Sequence, residues 1–207
     1  MVHTAEPDFE GANRYAIGRL EHELSPSLHY HNLYHTHEDV LPAAERLACH
    51  EGLRRSTCRL LITACYYHDI GFIVSPVDHE ATSARIASEV LPHYGFSPAQ
   101  VALINGCILV TRVFTPPKSL LEAIIVDADL DVLGRSDFLT RSLDLRHEQA
   151  EYGRAASDEQ WFRQQVNFLS RHQYRTISAQ SLRGPKKCEN IRELAHLLGQ
   201  LAPLYPE

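Results

Sequence analysis

Apolar residues recur every three to four positions along almost the whole chain, the spacing of amphipathic helices, while strict apolar–polar alternation is scarce. The Asn-Gly pair in INGC, Ile104 to Cys107, sits inside a helical pattern rather than between two strands. The pattern predicts an all-α fold. Its helices fall near 12–24, 30–50, 54–70, 78–94, 98–113, 118–134, 136–153, 157–173 and 186–201. Breaks are expected at Ser25-Pro26, Gly52, Gly71 to Pro76, Gly95 to Pro98, Pro116-Pro117, Gly134 and Gly184-Pro185. LRGPKK, Leu182 to Lys187, reads as a solvated basic loop before the last helix.

The segment LLITACYYHDI, residues 60 to 70, departs from amphipathicity because it is apolar on every side, which marks a helix buried at the centre of a domain. His68 and Asp69 then stand at the inner end of a core helix. A buried carboxylate is costly unless it is paired, hydrogen-bonded or bound to a cation. Two other segments carry groups that meet this need. In YHNLYHTHEDV, Tyr30 to Val40, His31 and His35 are four apart and share a helical face. His37 falls on the stripe Leu33, His37, Val40, Ala44, Leu47 and reads as a core-flanking histidine, with His29 in a loop or cap. In EAIIVDADLDVLG, Glu122 to Gly134, Asp129 has only apolar helical neighbours, whereas Asp127 and Asp131 face each other or Arg135. Asp129 is therefore expected to be the buried aspartate. His35, His68, Asp69 and Asp129 together compose a candidate site for one divalent metal. The alternative for His68-Asp69 is a hydrogen-bonded ion pair at a helix end.

Composition narrows the classes. The 207 residues suffice for one domain with a full core. A net charge of −6 lacks the basic excess that phosphate backbones require, so nucleic acid is not an expected partner. No run approaches the roughly 18 apolar residues of a membrane span, and MVHTAEPDFEGANRY has no basic region followed by an apolar core. Neither membrane insertion nor secretion is expected. The five cysteines, Cys49, Cys58, Cys65, Cys107 and Cys188, lack CxxC spacing and read as reduced core thiols of a cytoplasmic protein.

With these residues in place, the chain resembles the HD-domain metal-dependent phosphohydrolase superfamily: a histidine, an adjacent His-Asp, then a distant Asp, in that order. YHNLYHTHEDV is similar to the Tyr-His-Asn-x-x-His-x-x-x-Val segment of cyclic-nucleotide phosphodiesterases and small predicted HD hydrolases. DADLDVLG and QVNFLSRHQY also look like the latter. The likeness runs from residue 30 to 200. It implies a single-domain helical bundle over 1–207, with core motifs in 30–134 and C-terminal helices of 136–201 packed on it.

The resemblance makes His35, His68, Asp69 and Asp129 the metal ligands and His31 a proton donor to the leaving group. His79-Glu80 matches a His-Glu that follows the HD pair, where His79 approaches substrate or a second metal; it also reads as a helix start capped by Asp78 or Ser75. The chain has HDIGF in place of the HDIGK form. Two imidazoles and two carboxylates suit Mn²⁺, Co²⁺, Ni²⁺, Fe²⁺ or Zn²⁺. The implied substrate is a nucleotide or other small phosphorylated metabolite, with Arg112, Lys118 and Arg135 as candidate cationic contacts. The rival readings are a di-iron oxygenase and a metal-containing binding or signalling module without turnover. The protein is expected to be a monomer or homodimer.

Overall fold

A computed structural model describes residues 6–201, and every regular element among them is helical. Residues 1–5 of the N-terminal stretch, and Ala202 to Tyr205 at the end of NIRELAHLLGQLAPLY, lie outside the described residues. The chain forms two compact units. Among the described residues, the first comprises 6–25 together with His31–Asp129; the second comprises Pro26–Tyr30 and 130–201.

The helices of the first unit are α1 (Phe9–Glu23), α2 (Leu41–His50), α3 (Arg55–Tyr67), α4 (His79–Val90), α5 (Pro98–Leu109) and α6 (Leu120–Asp129), one of which carries most of the apolar segment singled out above. That helix is α3, which packs against α1, α2, α5 and α6. Leu61, Ala64, Cys65 and Tyr67 are fully buried on it. Small residues allow the close approach: Ala12 and Ala16 on α1, Ala43, Ala44 and Ala48 on α2. The Tyr67 hydroxyl donates to the Ala12 carbonyl at 2.9 Å, so the largest α3 side chain is buried with its polar tip satisfied. A capping box, Ser97 with Gln100, starts α5.

In the second unit, a 3₁₀ turn (Asp131–Gly134) leads into α7 (Phe138–Glu151), α8 (Asp158–Arg171) and α9 (Ile177–Leu201). Its core is Tyr30, Val132, Leu133, Phe138, Leu169 and Leu194. The buried Asn190 amide donates to the carbonyls of Leu133 and Arg135, tying α9 to the 3₁₀ turn. Gly134 allows this contact, because a Cβ there would collide with the Arg183 backbone.

Four readings of the sequence are corrected. α9 runs through Gly184-Pro185, so LRGPKK is helical and no break occurs there. Within this stretch Arg183 chelates buried Asp131 at 2.8 and 2.9 Å. His37 is exposed and meets Glu38, because His35–Val40 is a wide π-turn that adds a residue per turn and moves the stripe. His31 lies in a bend before that helix instead of sharing a helical face with His35. Finally, all five cysteines are free, but only Cys65 and Cys107 are buried; Cys49 and Cys188 are exposed.

Candidate metal centre

Local chemistry aims each of the four side chains. His68 is the C-cap of α3, and its Nδ1 donates to the Cys65 carbonyl at 2.7 Å. A carbonyl only accepts, so Nε2 is the ring atom left to face the interior. Asp69 follows with φ −108° and ψ 5°, the kink that separates α3 from the 3₁₀ turn Ile70–Ile73. His35 enters from the π-turn, with Nδ1 3.5 Å from the Asp39 carboxylate and Nε2 pointing the other way. Asp129 ends α6.

These directions converge. His35 Nε2 is 3.1 Å from Asp129 Oδ1 and 3.7 Å from Asp69 Oδ2. His68 Nε2 is 3.3 Å from Asp69 Oδ2 and 3.7 Å from Asp129 Oδ1. Ligand atoms of His35, His68 and Asp129 all lie within 4.8 Å of one another. His35, His68 and Asp69 are buried, yet His68 Nε2 and Asp69 Oδ2 have no hydrogen-bond partner. Orphaned buried polar atoms are rare unless an ion or water satisfies them, so the donor set fits a divalent cation.

Electrostatics point the same way. Burial pushes the His35 imidazole toward neutrality, but Asp129 and Asp39 outweigh it and hold its pKa up at about 9. Burial likewise opposes charge on His68, yet Asp69 and Asp129 raise it well above the usual histidine value. Burial would raise Asp69, but His68 and then His79 hold it well below the carboxylate range. Asp129 is lowered against its burial by His35 and His68. The two carboxylates and the two imidazoles thus favour one another's charged forms. A divalent cation supplies the same balance with both ring protons released.

The burial expected of the aspartates is reversed. Asp127 and Asp131 are the fully buried ones, while the Asp129 side chain is 19% exposed. Asp131 is neutralised by Arg183, a partner 52 residues away that helical neighbours do not reveal. Asp129 converges with His35 and His68 from the last position of α6.

Beside this cluster stands an aromatic stack. Phe72 lies between two imidazoles, 4.5 Å from the His31 ring and 4.0 Å from the His79 ring, nearly parallel to each. The His31 ring is 5.8 Å from that of His35. His79 Nε2 is 3.4 Å from Asp69 Oδ1, the other oxygen from the one beside His35 and His68, and 3.7 Å from Glu80. Gly71 makes this approach possible: a Cβ there would fall on the His79 carbonyl, and the Gly71 N–H donates to Ser83 Oγ on α4. Asp78 occupies the cap position of α4 in the left-handed region, φ 52°, without a capping bond; it pairs with Arg112 at 2.8 Å. Arg112 also reaches within 3.8 Å of Glu80. Lys118 is exposed, and Arg135 pairs with Asp137 in the second unit. Phe72 and Asp39 were not singled out from sequence. Their signals were the phenylalanine after HDIG and the carboxylate four residues beyond His35.

The described residues, helical in every regular element, gather two imidazole nitrogens and the Asp129 carboxylate, with Asp69 beside both imidazoles, and so define a helical fold with an internal candidate metal centre. The fold is that of HD domains. It is similar to the crystal structure of a predicted HD superfamily hydrolase from an uncultured Thermotogales bacterium, with a TM-score of 0.62 and 20% identity, covering 95% of this chain and 94% of that one. No family model matches the sequence, and no curated protein does. No described helix is long and apolar enough to cross a membrane.

Proposed function

We propose that the chain is a metal-dependent phosphohydrolase acting on a phosphate ester of a small metabolite, a nucleotide being the leading class. The observation that carries this reading is the pair of orphaned atoms, His68 Nε2 and Asp69 Oδ2, facing His35 and Asp129. The fold's likeness to a predicted HD superfamily hydrolase supports it.

His35, His68, Asp69 and Asp129 would hold one divalent ion, of Mn, Co, Ni, Fe or Zn. When bound, such an ion makes water nucleophilic near neutral pH and offsets phosphoryl charge. His68 is held ready by its bond to the Cys65 carbonyl, and His35 by Asp39 behind it. His31, stacked on Phe72, is positioned as the general acid that gives a proton to the leaving oxygen. His79 orients Asp69 through its other oxygen and faces the same stack, which suits it to hold the substrate.

The test is hydrolysis of nucleotides, cyclic nucleotides and generic phosphodiesters with Mn²⁺, Co²⁺ and Ni²⁺, using His68→Ala and Asp69→Ala alongside. Turnover that survives both substitutions rejects the mechanism.

One observation favours a second reading. His79 adds a donor next to Asp69, with Glu80 beside His79, as a two-iron oxygenase of a small organic substrate would require. Metal analysis finding two irons per chain would select it.

A further inference from the structure

The second unit contains a buried basic pair that the proposed reaction does not use. Lys187, on α9, is 9% exposed, and His172, at the end of α8, is 6% exposed. Lys187 Nζ donates to the His172 carbonyl at 2.5 Å and lies 3.4 Å from His172 Nδ1. It also sits 5.5 Å from the centre of the Tyr174 ring. Among the described residues no carboxylate lies within ion-pair distance of it. A buried ammonium is ordinarily paired, because removal from water is costly.

The histidine is incomplete as well. An ammonium can only donate, so Nδ1 accepts and the ring proton resides on Nε2. That Nε2 is buried and has no hydrogen-bond partner. Both groups border a cavity of about 400 Å³, whose other walls include Tyr174, Gln180, Pro185 and Cys188. Gln180 Nε2 donates to the Tyr174 carbonyl at 3.0 Å and secures that wall. Gly184 contributes no side chain, and a Cβ added there would meet nothing. The cavity is therefore bordered by an ammonium without a counter-charge and an imidazole whose Nε2–H lacks an acceptor, beside an aromatic ring and a proline.

We propose that this cavity binds a small organic oxyanion, its carboxylate or phosphate head held by Lys187 and His172 and its apolar body by Tyr174 and Pro185. The size suits a compact metabolite, at the lower end of small-molecule sites. Burial lowers the Lys187 pKa, and burial followed by Lys187 and Arg175 lowers that of His172 to about 4. An anion beside them would offset that cost.

The experiment follows the His172 ring resonances of the full-length protein during separate titrations with inorganic phosphate and with benzoate. Reading this ring reports on the cavity whatever happens at the metal centre. The expected result is a saturable shift, with benzoate binding more tightly than phosphate if the apolar wall contributes. Lys187→Met, similar in length but uncharged, should weaken binding on the order of tenfold or more, the weight of one charge-assisted bond. The proposal is overturned if neither probe shifts His172 up to about 20 mM, where even a millimolar site is nearly filled. It is equally overturned if Lys187→Met, with an unchanged circular-dichroism spectrum, titrates like the parent.

Discussion

His68 gives its Nδ1 proton to the Cys65 carbonyl at 2.7 Å, a bond within one helical turn that leaves Nε2 facing His35, Asp69 and Asp129. The ring is thus aimed by the backbone that precedes it. Removing the ring in His68→Ala should cut metal affinity by well over tenfold without unfolding the helix, because the lost group is itself a donor. Isothermal titration with Mn²⁺ and Co²⁺ measures this directly.

His31 approaches the His35 ring, yet no ligand role is given to it. His31→Gln should retain metal stoichiometry while lowering kcat on the order of 10²- to 10⁴-fold, the span attributed to a positioned general acid. Steady-state kinetics with parallel metal analysis separate the two effects. Loss of metal together with activity would assign His31 to the ligand set.

Gly71 is the point where the HD turn touches α4. Gly71→Ala should destabilise the protein by about 1–3 kcal/mol, since the new methyl meets backbone rather than a movable side chain. Urea denaturation provides the number. His79 should also move away from Asp69, an effect visible in the structure of the variant.

Much of this site was legible because its chemistry conflicts with its surroundings. A His-Asp pair ending an apolar helix and an aspartate closing another apolar run are costly without a purpose, and those segments do meet. What the sequence concealed depended on departures from 3.6 residues per turn or on distant partners. The π-turn at His35–Val40 put His37 outside and Asp39 inside. Arg183 made Asp131 a buried residue, and α9 passed through Pro185 despite the missing N–H. Neither effect is encoded in the residues beside it.

The second unit carries a pH dependence with a defined sign. His172 is lowered from 6.5 to about 4 by burial, then Lys187 and Arg175. The unfolded chain therefore binds this proton first as pH falls. The stability His172 contributes is present above pH 6.5 and is lost as pH drops toward 4, on the order of 3 kcal/mol in all. His172→Gln should flatten that stretch of the unfolding curve when denaturant titrations are compared at pH 7, 5.5 and 4.5.

The most direct test of the account is anomalous diffraction from a crystal soaked in Mn²⁺ or Co²⁺. The predicted result is an ion coordinated by Nε2 of His35 and His68 and by the carboxylates of Asp69 and Asp129, at roughly 2.0–2.2 Å. A fully soaked crystal with no anomalous peak among those four side chains, or with its ion held elsewhere, would contradict it.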